Sequence, residues 1–162
     1  MPDPRGTGKL LPVHYVFQDW TPGIFANTMK GLYKNPGWKV LTYNGGGVEK
    51  QKKNRDAALL GLPKAGPGLS WDEFPYATSN EGGYGAAVKR VTRIEQSRQG
   101  GALSGLYRGF HMEEGDKFIV VPIGNDGEPS WLPSLSPQTN PFPIIPPVWV
   151  PILKLGELLL EL

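Results

Sequence analysis

The stretch "WDEFPYATSNEGG", residues 71–83, decides how this chain is read. It sets three carboxylates, Asp72, Glu73 and Glu81, within ten positions. An aromatic and a proline follow the adjacent pair, and a glycine pair follows the third. Two readings are open. The segment is a solvated loop, with Asp72 capping a short helix, or its acids hold something positive. Neighbouring carboxylates usually face different ways, so the pair alone does not decide. The surrounding chain has to.

Just upstream, "VEKQKKNRDAALLGL" (48–62) reads as a helix with a basic outer face, closed by Gly61 and Pro63. Before it, "VHYVFQDW" (13–20) has the aromatic and β-branched content of a strand. "IFANTMKGLYKN" (24–35) spaces Ile24, Phe25, Met29, Leu32 and Tyr33 as a helix that "NPG" stops. "WKVLTYN" (38–44) alternates as a strand and runs into three glycines. Downstream, "AVKRVTRI" (87–94) is expected as a strand, "GALSGLYRGFHM" (101–112) as a short helix and "DKFIVVPIG" (116–124) as a buried strand. The expected class is α+β, a small and mainly antiparallel sheet with flanking helices.

The chain has 162 residues, enough for one domain with a real core. Glycine (22) and proline (17) make up about a quarter of it, so short elements and many loops are expected. The net charge is only +2, yet from Val48 to Phe110 ten basic residues face six acids. That balance suits a polyanion-binding surface around a cation site, or an ordinary mixed surface. The absence of cysteine excludes disulfides, thiolate zinc sites and a cysteine nucleophile. The N-terminal "MPDPRGTGKLL" lacks the apolar core of a signal peptide, and no run reaches membrane-spanning length.

The acidic motif is also part of a longer order. After Asp72, Glu73, Phe74, Pro75, Tyr76 and Ala77 come Glu81, Gly82 and Gly83, then Val88 and Val91. Glu95, Gln96, Gln99, Gly100 and Gly101 follow, then Leu103 and Tyr107. In this order, and in the basic "KKNRDAALLGLP" ahead of it, the chain resembles the deoxyribonuclease NucA/NucB family over roughly residues 38–124. Three departures stand out. Gln96 stands where many members carry Asn, and Trp71 where secreted relatives often place Cys. Glu73 stands where the related ββα-metal (His-Me finger) nucleases have a histidine base.

The resemblance implies a ββα-metal-like core and a metal-dependent, largely sequence-non-specific DNA endonuclease. Phosphodiester hydrolysis builds charge on the phosphate oxygens, which a divalent ion on oxygen ligands neutralises while a base activates water. Mg²⁺ or Mn²⁺ is the expected cofactor. Asp72, Glu73 and Glu95 are the expected catalytic residues, with Glu73 as base or anchor of the attacking water. Asp72, Glu81, Glu95 and Gln96 are the expected metal residues, Glu81 as ligand or support. Arg90, Arg93, Arg98 and Gln99 are expected to bind the substrate. Of the two histidines, His14 and His111, the second is expected to be a bystander rather than catalytic, and "YNGGGVEK" (43–50) a flexible turn.

The expected organisation is a nuclease domain over 1–132 and a proline-rich extended tail over 133–162 with an apolar end. Residues 133–151 hold seven prolines. Such a chain reads as the toxin module of a larger exported antibacterial effector, acting in the target cytoplasm. DNA is then its substrate, a cognate immunity protein and a delivery component are its expected partners, and no membrane span is expected. The rival reading is a non-catalytic nucleic-acid-binding or interaction module.

Overall fold

The computed structural model of the chain describes residues 1–131. The tail from 133 on, and with it the far side of the expected domain boundary, lies outside the described residues. The class is α+β, as expected, but the strands form two sheets rather than one. β1 (Val13–Phe17), β5 (Lys117–Ile123) and β2 (Val40–Thr42) make a mixed three-stranded sheet with β5 at its centre. β1 pairs with β5 in parallel, Tyr15 opposite Val121, and β2 pairs antiparallel, Leu41 opposite Phe118. β3 (Leu69–Phe74) and β4 (Ala87–Thr92) form a separate antiparallel ribbon.

The central position of β5 follows from its sequence. Phe118 to Ile123 is buried at every residue, the unbroken apolar run of a strand covered on both faces. Helix α1 (Pro22–Lys34) touches both sheets and joins them into one core through Ile24 and Leu32. Helix α3 (Arg93–Gly109) adds Leu103 and Tyr107. Phe110, at the C-cap of this helix, is exposed.

Gly31 of α1 lies against Phe74 of β3. A Cβ there would lie 2.4 Å from Cδ1 of Phe74, a side chain with no exposure. A close-packed interior has no room for that methyl without displacing the ring. Gly31→Ala is therefore expected to cost about 1–3 kcal/mol, read as a lower chemical-denaturation midpoint with an unchanged slope.

Two expectations needed correction. Residues 69–74 are a strand rather than part of a loop, so Asp72 is paired across from Lys89 and does not cap a helix. The segment "EQSRQGG", ahead of the helix expected over 101–112, is itself helical. It lies inside α3, which starts at Arg93 and carries Gly100 and Gly101 in its interior.

Helix α2 (Val48–Ala58) differs from the others in burying no residue. Its sequence offers no apolar stripe, so it cannot join the core. Polar bonds hold it instead: Gln51 Nε2 donates to the Gly46 carbonyl (2.5 Å), and Asn54 Nδ2 donates to the carbonyls of Ala77 (3.1 Å) and Ser79 (3.0 Å). Lys50 pairs with Glu114. Among the described residues no helix is long and apolar enough to cross a membrane.

Candidate active site

A cleft of about 330 Å³ opens between α2 and α3, with the acidic end of β3 as its floor. Gln51, Lys52 and Arg55 line it from α2, and Gln96, Gln99 and Leu103 from α3. Asp72 and Glu73 lie between them. Successive side chains of a strand leave on opposite faces, and the two carboxylates accordingly have different partners.

Asp72 belongs to α1 and α3. Its Oδ2 accepts from Asn27 Nδ2 (2.8 Å) and its Oδ1 from Gln99 Nε2 (2.8 Å), and the side chain is buried. Burial is the strongest influence on its acidity and outweighs the two amide donors, while the charge of Glu73 adds to it. The carboxyl is pushed up to about 7. Glu73 belongs to α2. Nη1 of Arg55 donates to both of its oxygens at 2.8 Å, and Nη2 donates to the Trp71 carbonyl at 3.0 Å. Burial raises the Glu73 carboxyl above its ordinary range despite the arginine.

Gln96 and Gln99 complete this end of the cleft. The Oε1 atoms of both are buried and have no hydrogen-bond partner among the described residues. A buried carbonyl oxygen left unpaired costs free energy, so two of them on residues that line one cleft with a buried carboxylate favour a positive group there. One carboxylate and two amide oxygens are the donor chemistry that hard divalent cations take. The residues present therefore fit such an ion.

The remaining expected residues are placed elsewhere. Glu95 is the N3 residue of a capping box. Its backbone N–H donates to Thr92 Oγ1 (3.2 Å), and its Oε2 accepts from the Thr92 hydroxyl (3.1 Å). Its Oε1 accepts from Gly23 N at 2.6 Å, at the start of α1. One carboxylate thus caps two helices, where negative charge meets two positive helix ends. Glu81 accepts from the Thr42 N–H (2.9 Å) and hydroxyl (2.8 Å), which ties its loop to β2. Neither acid lines the cleft. Among the described residues no three His, Asp or Glu side chains gather where they could hold one ion. The expectation that Asp72, Glu81 and Glu95 converge is corrected on that ground: the last two already have backbone donors to satisfy.

The glycine beside Glu81 is explained by the same loop. A Cβ on Gly82 would stand 2.2 Å from the Tyr76 carbonyl oxygen, so the turn closes only over a bare α-carbon.

The arginines divide as well. Arg90 lies over the Trp71 ring at 4.9 Å, and Arg98 lies over Trp20 at 5.5 Å while donating to its carbonyl at 2.7 Å. Arg93 is exposed at the start of α3. None of the three lines the cleft. Gln99, expected on the substrate, is the partner of Asp72 instead. What sequence reasoning missed is Arg55, Lys52 and Gln51. Their signal was present in the basic helix 48–62, but nothing local says that one of its cations reaches an acid 18 positions on.

His14 is buried in β1 with its Nε2 unpartnered among the described residues, and burial lowers it to about 4. It packs edge-on against Tyr76 at 5.6 Å and does not line the cleft.

A family model described as Deoxyribonuclease NucA/NucB matches residues 33–121, more than half of the chain. The match spans β2 to β5 and therefore both walls and the floor of the cleft. No curated protein matches the chain.

Proposed function

The chain belongs to the deoxyribonuclease NucA/NucB family, and from that premise we propose that its cleft is a divalent-metal-dependent site for hydrolysing DNA phosphodiesters. The observation that carries this reading is the pair of buried, unpartnered amide oxygens, Gln96 Oε1 and Gln99 Oε1, on residues that line the cleft together with Asp72. Asp72, Gln96 and Gln99 would hold Mg²⁺ or Mn²⁺, which supplies Lewis-acid neutralisation of the charge that builds on the phosphate.

The chain's own groups do the rest. Asp72 is held by Asn27 and Gln99, so its oxygens are fixed before substrate arrives. Glu73 is the general base. It takes a proton from water as the water oxygen bonds to phosphorus and the bridging P–O bond breaks, and the leaving oxygen is protonated from solvent. A buried carboxylate with raised affinity for protons suits that task near neutral pH. Glu81 and Glu95 support the site from outside, by fixing β2 and the two helix starts.

Lys52 and Arg55 on the cleft wall supply charge that DNA phosphates recognise without reading bases. Arg90, Arg93 and Arg98 extend this charge over the exposed surface, and their stacking on Trp71 and Trp20 fixes two of them. Cleavage is therefore proposed to be largely sequence-non-specific. We retain the toxin-module role, with delivery as part of a larger protein and a cognate immunity partner, as a proposal resting on the chain's lack of cysteine and its proline-rich segment 133–151.

Incubation with supercoiled plasmid tests the reading. Nicked and linear forms should appear with Mg²⁺ or Mn²⁺, vanish in excess chelator and return when metal is restored. Cleavage that persists in chelator, or an inert protein that only retards the plasmid, contradicts it.

A further inference from the structure

The arginine on the cleft wall has a partner that the proposed chemistry needs free. Both Glu73 oxygens accept from Arg55 Nη1, so both oxygens of this carboxylate are engaged while the pair is closed. The two members are unequally accessible. The Arg55 side chain is 38% exposed and that of Glu73 is 6% exposed. A ligand entering the cleft therefore meets the guanidinium first. Its Nη groups are committed to Glu73 and to the Trp71 carbonyl, and its Nε has no partner among the described residues.

We propose that Arg55 is a phosphate ligand that Glu73 holds in reserve, and that a DNA phosphate entering the cleft takes over the guanidinium and frees the carboxylate as base. The proposal rests on the reading of Glu73 as the base. Guanidinium matches phosphate as well as carboxylate in its forked geometry, so one pair can be exchanged for another. Helix α2 allows the movement because it buries no residue and is held by polar bonds at its edges. Arg55 is thus a residue that touches substrate, and Glu73 is its competitor for that contact.

The test is a binding cycle in chelator, where no cleavage is expected to obscure the equilibrium. A short labelled DNA duplex is titrated with the wild-type chain, Arg55→Gln, Glu73→Gln and the double variant, with thermal melts confirming that each is folded. Arg55→Gln should weaken binding about tenfold, the order of one charge-assisted contact, and lower the salt slope by about one. Glu73→Gln should tighten binding several-fold, because a neutral amide competes less strongly than a carboxylate for the guanidinium. That gain should disappear in the double variant. Arg55→Lys, which keeps the charge but loses the fork, should recover the salt slope and only part of the affinity. An equal gain from Glu73→Gln with and without Arg55 would mean simple removal of negative charge and would overturn the proposal, as would an unchanged salt slope in Arg55→Gln. These readouts need no turnover. Full cleavage by Glu73→Gln would remove the base assignment while leaving the binding result to be judged separately.

Discussion

Asp72→Asn is expected to abolish plasmid cleavage, by about 10³-fold or more, in a protein that folds as well as the wild type. The substitution keeps the shape of the side chain and removes its charge, which the proposed cation requires. Folding should survive for a specific reason. Asn27 and Gln99 both present N–H groups to Asp72, and an amide at 72 would set one donor against another. Gln99 can resolve this by exchanging its ends, because its Oε1 has no partner to lose among the described residues.

The same substitution has a pH signature in chelator. Asp72 has a folded-state affinity for protons raised from 3.8 to about 7 by burial. The folded state therefore holds a proton that the unfolded state has released, and stability falls as pH rises between about 4 and about 7. The loss is up to ~4 kcal/mol. Glu73 is raised as well and contributes with the same sign, but it is common to both proteins, so their difference isolates Asp72. Wild type should lose melting temperature through this window, and Asp72→Asn should melt above it at pH 8. Parallel melting curves across the window would remove the claim that Asp72 is strained by burial.

Glu73→Gln carries the second large effect. A positioned base contributes about 10²–10⁴-fold, so kcat should fall by about 10³-fold. KM should not rise, since the arginine that meets substrate is retained. Stability need not suffer greatly, because the amide oxygen of Gln still accepts from Arg55. Glu73→Ala is a harsher change: it leaves Arg55 Nη1 without its acceptor beside a buried floor. A wild-type kcat in Glu73→Gln would transfer the role of base to another group.

Much of the framework was legible from local pattern. β1, α1, α2, β2 and β5 fall where aromatic, β-branched or helical spacing placed them, because for those elements local preference and burial agree. β3 was not legible. "LSWDEF" puts two acids where a strand rarely tolerates them, and only partners 18 to 45 residues away, Arg55, Gln99 and Asn27, make their burial affordable. The start of α3 was legible and was overlooked. Thr92 and Glu95 have the spacing of a capping box, which marks a helix start ahead of the glycines in its interior. The site was half legible. Asp72, Glu73, Gln96 and Gln99 meet at one cleft. Glu81 and Glu95, from the same stretch of sequence, bond to β2 and to the helix starts instead, and sequence order alone does not separate an acid that lines a cleft from one that holds a helix.

The most direct test is titration of the purified chain with Mn²⁺ at neutral pH, followed by the paramagnetic signal of the free ion. One ion should bind per chain, the site should be lost in Asp72→Asn and weakened in Gln96→Ala, and it should persist in Glu81→Gln. Unchanged Mn²⁺ binding in Asp72→Asn, or no binding by the wild type, would contradict the account.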